Sequence, residues 1–356
     1  MRLVHILGTR PNMVKMAPVI AATRERFGVE SSIVVHTGQH YDRAMSEIFF
    51  EELGMPEPDY MLEVGSGGHG ETTARVLERL DPVLRKEEPQ IVLVPGDVNS
   101  TLAAGLCAAK LGIAVGHVES GLRSFDRTMP EEINRIVTDH LSELLFVHSA
   151  EAEQNLRDEG LPDTGFRFVG NTMIDTLVAL ESRFRERQTA ARLGLEPGSY
   201  LLVTLHRPAL VDGPLLSAAI AAIERVSQQM PVLFPLHPRT RKMLGDREST
   251  SLRLVEPVGY LDFLSLQADA AAVLTDSGGI QEETTYLGVP CFTLRENTER
   301  PVTVRVGTNT LLGLDPDRIA AIPEMLQSAP RRNAAAAPPM WDGRAAVRLA
   351  DALEAW

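Results

Sequence analysis

The 356-residue sequence predicts an α/β protein made of two Rossmann-like, doubly wound domains facing a central cleft. Three observations predict this. Short runs rich in Val, Ile and Leu alternate with longer amphipathic segments along the whole chain, the pattern of parallel strands joined by crossover helices. At roughly 150 residues per domain, the length is enough for two separate cores. Polar residues gather directly after the candidate strands, where open parallel sheets bind their ligands.

The candidate strands of the first half fall at residues 3–7, 32–36, 91–94, 114–118, 144–147 and 166–169. Those of the second half fall at 200–205, 232–236, 252–255, 271–274 and 290–294. Between them, segments 17–27, 72–84, 131–141 and 215–230 carry apolar residues at helical spacing. The boundary is placed near Gly170, giving domains of 1–170 and 171–356 with a helix from Thr172 leading across. A loose stretch rich in Ala and Pro, 331–339, precedes a final helix of about 344–356, a candidate to pack back on the first domain.

Composition narrows the function. A net charge of −13 and an isoelectric point near 5.2 argue against broad binding to nucleic acid or an anionic membrane, because the mean field repels phosphate. Any anionic ligand therefore needs a local cluster of donors. Cys107 and Cys291 lie far apart in apolar surroundings, without redox or metal-ligand spacing, and read as core residues. The apolar run at residues 3–7 is broken by Gly8 and Arg10, and no stretch of about 18 apolar residues follows, so a cytoplasmic protein is expected. The nine histidines show no zinc spacing, and neither a nucleophile elbow nor a Walker loop is present.

The strand ends carry the chemistry. Gly8-Thr9-Arg10-Pro11 follows the first strand, with Lys15 in the next helix; Gly96-Asp97 follows the third, and Glu119-Ser120-Gly121-Leu122-Arg123 the fourth. In the second half, His206-Arg207, His237-Pro238 and Asp276-Ser277-Gly278-Gly279 hold equivalent places. The last of these joins a strand to a helix, so its backbone N–H groups are suited to a diphosphate at the positive end of the helix dipole. Glu283, further along that helix, is suited to accept from ribose hydroxyls, and Arg10 and Lys15 add cationic charge. Gly65-Ser66-Gly67-Gly68-His69-Gly70 matches a dinucleotide fingerprint, but the run before it is short and carries Glu63, so a loop at the cleft mouth is the better reading. His5, His140, His148, Asp126, Glu132 and Asp139 read as structural or solvated.

Taken together, several motifs are similar to the bacterial UDP-N-acetylglucosamine 2-epimerase family of the non-hydrolysing type. They are Gly8-Thr9-Arg10-Pro11-Asn12 with Lys15, Thr37-Gly38-Gln39-His40, Gly96-Asp97, His117-Val118-Glu119, Gly121-Leu122-Arg123-Ser124, Pro130-Glu131-Glu132-Ile133-Asn134-Arg135, Thr204-Leu205-His206-Arg207 and the segment from Asp276 to Glu283. The likeness runs in order over nearly the whole chain and ends at Trp341-Asp342-Gly343.

The resemblance implies a glycosyltransferase-B type fold without added metal or nicotinamide, and a homodimer. It implies acid/base roles for Asp97, Glu119, Glu131 and His206, and binding of a UDP-N-acetylated hexosamine by Arg10, Lys15, Ser277, Gly278, Gly279 and Glu283. The first domain would carry the acid/base groups and the second the UDP. Gln39, Arg207 and His237 match positions for a second UDP-N-acetylglucosamine acting as activator. Pro208-Ala209-Leu210 departs from the polar residues usual after the His–Arg pair and bears on that activator site. A hydrolysing relative, an epimerase of another UDP-N-acetylated sugar, a glycosyltransferase and a non-catalytic sensor share much of the pattern.

Chemistry explains why such groups are wanted. The C2 hydrogen of the sugar is not adjacent to a carbonyl, so simple deprotonation is implausible. Departure of UDP from C1 while a base removes that hydrogen gives a 2-acetamidoglucal, and re-addition with protonation from the other face inverts C2. This demands preorganised donors at the diphosphate and carboxyl groups around C2.

Overall fold

The computed structural model describes residues 1–38, 49–244, 252–328 and 337–356. The chain forms two compact units, one of Met1–Ala179 with Pro339–Trp356, the other of Leu180–Pro338. The division therefore falls after Ala179 rather than at Gly170. The reason is local: the Thr172–Ala179 helix packs on the Arg10–Phe27 helix of the first unit, and Thr176 Oγ1 donates to the Val14 carbonyl at 2.6 Å.

Strands β1 (Leu3–Leu7), β2 (Ser32–His36), β3 (Tyr60–Met61), β4 (Ile91–Pro95), β5 (Ala114–Ser120), β6 (Leu144–Val147) and β7 (Phe166–Phe168) form the first sheet. Its order is β3-β2-β1-β4-β5-β6-β7, and every pairing is parallel. The second sheet uses β8 (Leu201–Thr204), β9 (Val232–Pro235), β10 (Arg253–Val255), β11 (Ala272–Thr275), β12 (Cys291–Thr293) and β13 (Asn309–Leu311). It runs β10-β9-β8-β11-β12-β13, again parallel throughout. Both orders reverse direction in the middle, between β1 and β4 and between β8 and β11. Such a switch point opens a crevice at the strand carboxyl ends.

The near-continuous apolar character of the strands follows from burial on both faces. Val4 and Ile6 of β1 join Val76, Leu80 and Ala104 on one side, while Leu3 and Leu7 join Met16, Val19 and Ile20 on the other. The second face also receives Leu349 and Leu353 from the final helix, Ala345–Glu354, so that helix belongs to the first unit's core. In the second unit Leu201 and Val203 face one cluster and Tyr200 and Leu202 the other. His5 is the polar exception in β1. Its Nε2 lies 2.8 Å from Ser32 Oγ, and burial, reinforced by Arg24, lowers its pKa to about 3, so the ring is neutral.

Two strands escape the sequence reading. Tyr60–Met61 and Asn309–Leu311 are short edge strands of two and three residues, with too little burial to impose an apolar run. The first helix begins at Arg10 rather than Ala17, because Pro11 sits in its first turn, where a missing N–H costs nothing, and Pro18 is accommodated within it. Among the described residues, no helix is long and apolar enough to cross a membrane.

Candidate active site

In the first unit the site is assembled from the ends of β1, β4 and β5. Asn12 ties the entry to the Arg10–Phe27 helix, accepting from the Thr9 amide at 3.1 Å and donating to the Pro95 carbonyl at 3.1 Å. That anchor places Lys15 against Glu119, and the two buried side chains form an ion pair. Gly96 sits beside them with φ +64°, a left-handed conformation that favours glycine, and a Cβ there would lie 2.9 Å from Lys15 Nζ. Asp97 follows, half-buried. Its Oδ2 accepts from Arg135 Nε at 3.1 Å and Nη2 at 2.9 Å, and its carbonyl accepts from Asn134 at 2.8 Å. Glu131, in the first turn of the Pro130–Leu141 helix, lies one turn before Asn134 and Arg135, on the face that grips Asp97.

Glu119 itself is unusual. It adopts φ +70° where the β5–β6 register shifts between Val118 and Ser120, a conformation that costs a non-glycine residue about 1–3 kcal/mol. The consequence is that its carboxylate turns out of the strand towards Lys15. His148, directly after β6, joins Lys15, Glu119, Asn171 and Thr172 in lining one narrow cleft of this unit. No motif surrounds His148 in the sequence, and only the parallel pairing of β6 with β5 brings it to Glu119.

In the second unit Asp276 organises the end of β8. Its Oδ2 accepts from the His206 and Arg207 amides at 2.8 and 2.7 Å, and Oδ1 lies 3.1 Å from His206 Nδ1. Burial alone would raise the Asp276 pKa, but the His206 ring and the two amides hold it below the ordinary value. The His206 ring is thereby oriented, and its Nε2 makes no hydrogen bond among the described residues. His237 stands alongside, ring centroids 5.5 Å apart.

The helix Gly278–Leu287 starts after Ser277 with no side-chain cap, so the N–H groups of Gly278 and Gly279 are free of intrahelical partners. Gly278 admits the Arg300 guanidinium, which a Cβ would meet at 2.5 Å. Arg300 in turn pairs with Glu282 at 2.9 Å, and Glu299 takes Arg295 on both oxygens at 2.8–2.9 Å. Arg207 lies 3.8 Å from Glu299, and burial beside Arg295 lowers its pKa. Sequence reading missed Arg295, Glu299 and Arg300; their i,i+4 and adjacent charges, Arg295 to Arg300, were the available signal.

Glu283 is buried, and its oxygens accept from Tyr260 at 2.8 Å and Gln267 at 2.7 Å. The Pro208-Ala209-Leu210 departure becomes a short helix, Pro208–Val211, whose Leu210 and Val211 enter the core while Pro208 and Ala209 stay exposed beside Arg207. Arg10 is exposed at the start of its helix. Gln39 and His40 lie outside the described residues. The Gly65–Gly70 motif follows the edge strand β3 and runs into the His69–Glu87 helix, away from the switch point between β1 and β4.

A family model described as UDP-N-acetylglucosamine 2-epimerase matches residues 22–354. A UDP-N-acetylglucosamine 2-epimerase of Methanococcus maripaludis is 45% identical over 338 residues, covering 91% of each chain. A UDP-2,3-diacetamido-2,3-dideoxy-D-glucuronate 2-epimerase of Pseudomonas aeruginosa is 43% identical over 328 residues, covering 90% of each. The crystal structure of the Methanocaldococcus jannaschii UDP-GlcNAc 2-epimerase, in complex with UDP-GlcNAc and UDP, matches with a TM-score of 0.91 and 41% identity over the full length of both chains. Two parallel Rossmann-like sheets, their strand-end residues and these likenesses agree, and the chain belongs to the UDP-N-acetylglucosamine 2-epimerase family.

Proposed function

We propose that this enzyme interconverts UDP-N-acetylglucosamine and UDP-N-acetylmannosamine by elimination and re-addition of UDP. The observation that carries the reading is the buried Lys15–Glu119 pair beside Asp97, itself held through one oxygen by Arg135. In the forward step a carboxylate takes the C2 hydrogen as a proton while the C1–O bond breaks and its electron pair leaves with UDP. The neutral 2-acetamidoglucal forms. In the return step UDP oxygen attacks C1 and a carboxylic acid protonates C2 from the opposite face. Asp97, Glu119 and Glu131 serve as the acid/base groups. His206, oriented by Asp276, stabilises the departing diphosphate together with Arg10, Lys15 and the Ser277–Gly279 amides. Glu283 serves the ribose. The first unit supplies the acid/base work and the second the nucleotide grip. Arg207 and His237, with Gln39, form the activator site, and the protein works as a cytoplasmic homodimer.

The same inversion on another UDP-N-acetylated sugar is the second reading, favoured by the near-equal 43% identity to the Pseudomonas diacetamido-glucuronate epimerase. The test is incubation with each sugar nucleotide in deuterated water, followed by NMR. The expected product is a UDP-linked manno sugar carrying deuterium at C2. Free sugar with UDP would replace the re-addition step by hydrolysis, and no exchange with either sugar would overturn the reading.

A further inference from the structure

Among the buried charge clusters that the proposed chemistry leaves unused, one stands next to the acid/base turns. Asp139, His117 and Arg123 are each at most 2% exposed, on the Pro130–Leu141 helix, in β5 and just after β5. His117 Nδ1 lies 2.6 Å from Asp139 Oδ1, and its Nε2 lies 2.7 Å from the Gly96 carbonyl. The ring therefore bridges the Asp139 carboxylate and the Gly96 carbonyl, one at each nitrogen. Asp139 Oδ2 accepts from the Gly121 amide at 3.1 Å and pairs with Arg123 at 2.7 Å. Arg123 then binds Glu159 through two bonds of 2.7 Å.

The geometry has a specific consequence. One carboxylate grips residues 117 and 121, which flank Glu119, the residue held at φ +70°. The same ring reaches the Gly96 carbonyl, while the Gly96 amide donates to the Val118 carbonyl at 2.9 Å, so the turn before Asp97 is locked to the strand bearing Glu119. One carboxylate thus holds the Glu119 turn directly at Gly121 and the Gly96 turn through the His117 ring.

We propose that Asp139 is a positioning residue for the reaction, fixing Glu119 and Asp97 relative to one another through His117 and Gly121. This rests on the acid/base roles given to those two carboxylates. Burial alone would raise the Asp139 pKa, but His117 and Arg123 keep it below the ordinary value, in keeping with an ionised clamp.

The experiment compares Asp139→Asn with a control, His5→Asn, which removes an equally buried histidine from β1 of the same sheet. The amide oxygen introduced by Asp139→Asn can still accept from His117, but the amide nitrogen faces two donors, Gly121 and Arg123. Below both unfolding temperatures, Asp139→Asn should lower kcat about 100-fold, the usual scale for a misplaced reacting group, with KM almost unchanged. His5→Asn should keep kcat for a comparable loss of Tm. Should Asp139→Asn fail to fold, His117→Gln replaces it, since its amide serves Gly96 or Asp139 but not both. Wild-type kcat in the clamp variant or an equal fall in His5→Asn would each overturn the proposal. Wild-type protein that exchanges no C2 hydrogen at all would instead sink the functional reading and the positioning role with it.

Discussion

Glu283 is sealed from solvent, with Tyr260 and Gln267 on its two oxygens, and burial raises its pKa from 4.5 to about 7. A carboxyl raised in this way binds more protons folded than unfolded. Stability is therefore full below about 4.5 and falls as pH rises to about 7. Glu283→Gln removes the titration, and the buried Oε1 of Gln267, which lacks a hydrogen bond, can turn to receive the new amide. Thermal unfolding of the ligand-free proteins should show the variant gaining on wild type between pH 5 and pH 8, by up to about 3 kcal/mol. A difference that does not change with pH would contradict the raised value. The sequence pointed to Glu283 through its place in the helix, but the partners that set its charge, Tyr260 and Gln267, come from another helix and no local spacing marks them.

Elements buried on both faces were legible because burial writes a near-continuous apolar run, as in β1 and β4. The Pro130–Leu141 helix was legible in position but not in orientation. Its apolar spacing suggested a core face, yet Ile133 and Val137 are 43% and 37% exposed while Glu132, Asn134, Arg135, Thr138 and Asp139 are buried. Four of those polar residues are engaged by the turns they hold: Glu132 accepts from the Ser124 and Phe125 amides at 2.9 and 2.8 Å, and Asn134, Arg135 and Asp139 make the bonds to Asp97 and Gly121. Glu132 and Asp139 thus hold loops instead of facing solvent, an inversion that periodicity cannot reveal. The final helix gives an independent test of packing. Asp175 accepts from the Ala345 and Ala346 amides at 3.0 and 2.7 Å and so caps that helix from the Thr172–Ala179 helix. Asp175→Ala should cost about 1–3 kcal/mol in denaturant unfolding, because two buried donors lose their partner. An unchanged midpoint would show that the cap is dispensable.

Across the whole molecule the alternation of strands and helices was readable from end to end, as were the strand-end motifs, because parallel sheets place chemistry at one edge by construction. The division after Ala179 and the return of Leu349 and Leu353 to the first core depend on long-range packing that a linear reading undervalues. The proposed roles of these residues meet in one event, the breaking of the bond between C1 and the diphosphate. Oxygen-18 placed in the bridge between C1 and the β-phosphorus follows that bond, read by phosphorus NMR during epimerisation. Elimination and re-addition predicts that the label spreads into the non-bridging oxygens of the β-phosphate. A label that stays wholly in the bridge while C2 inverts would contradict it.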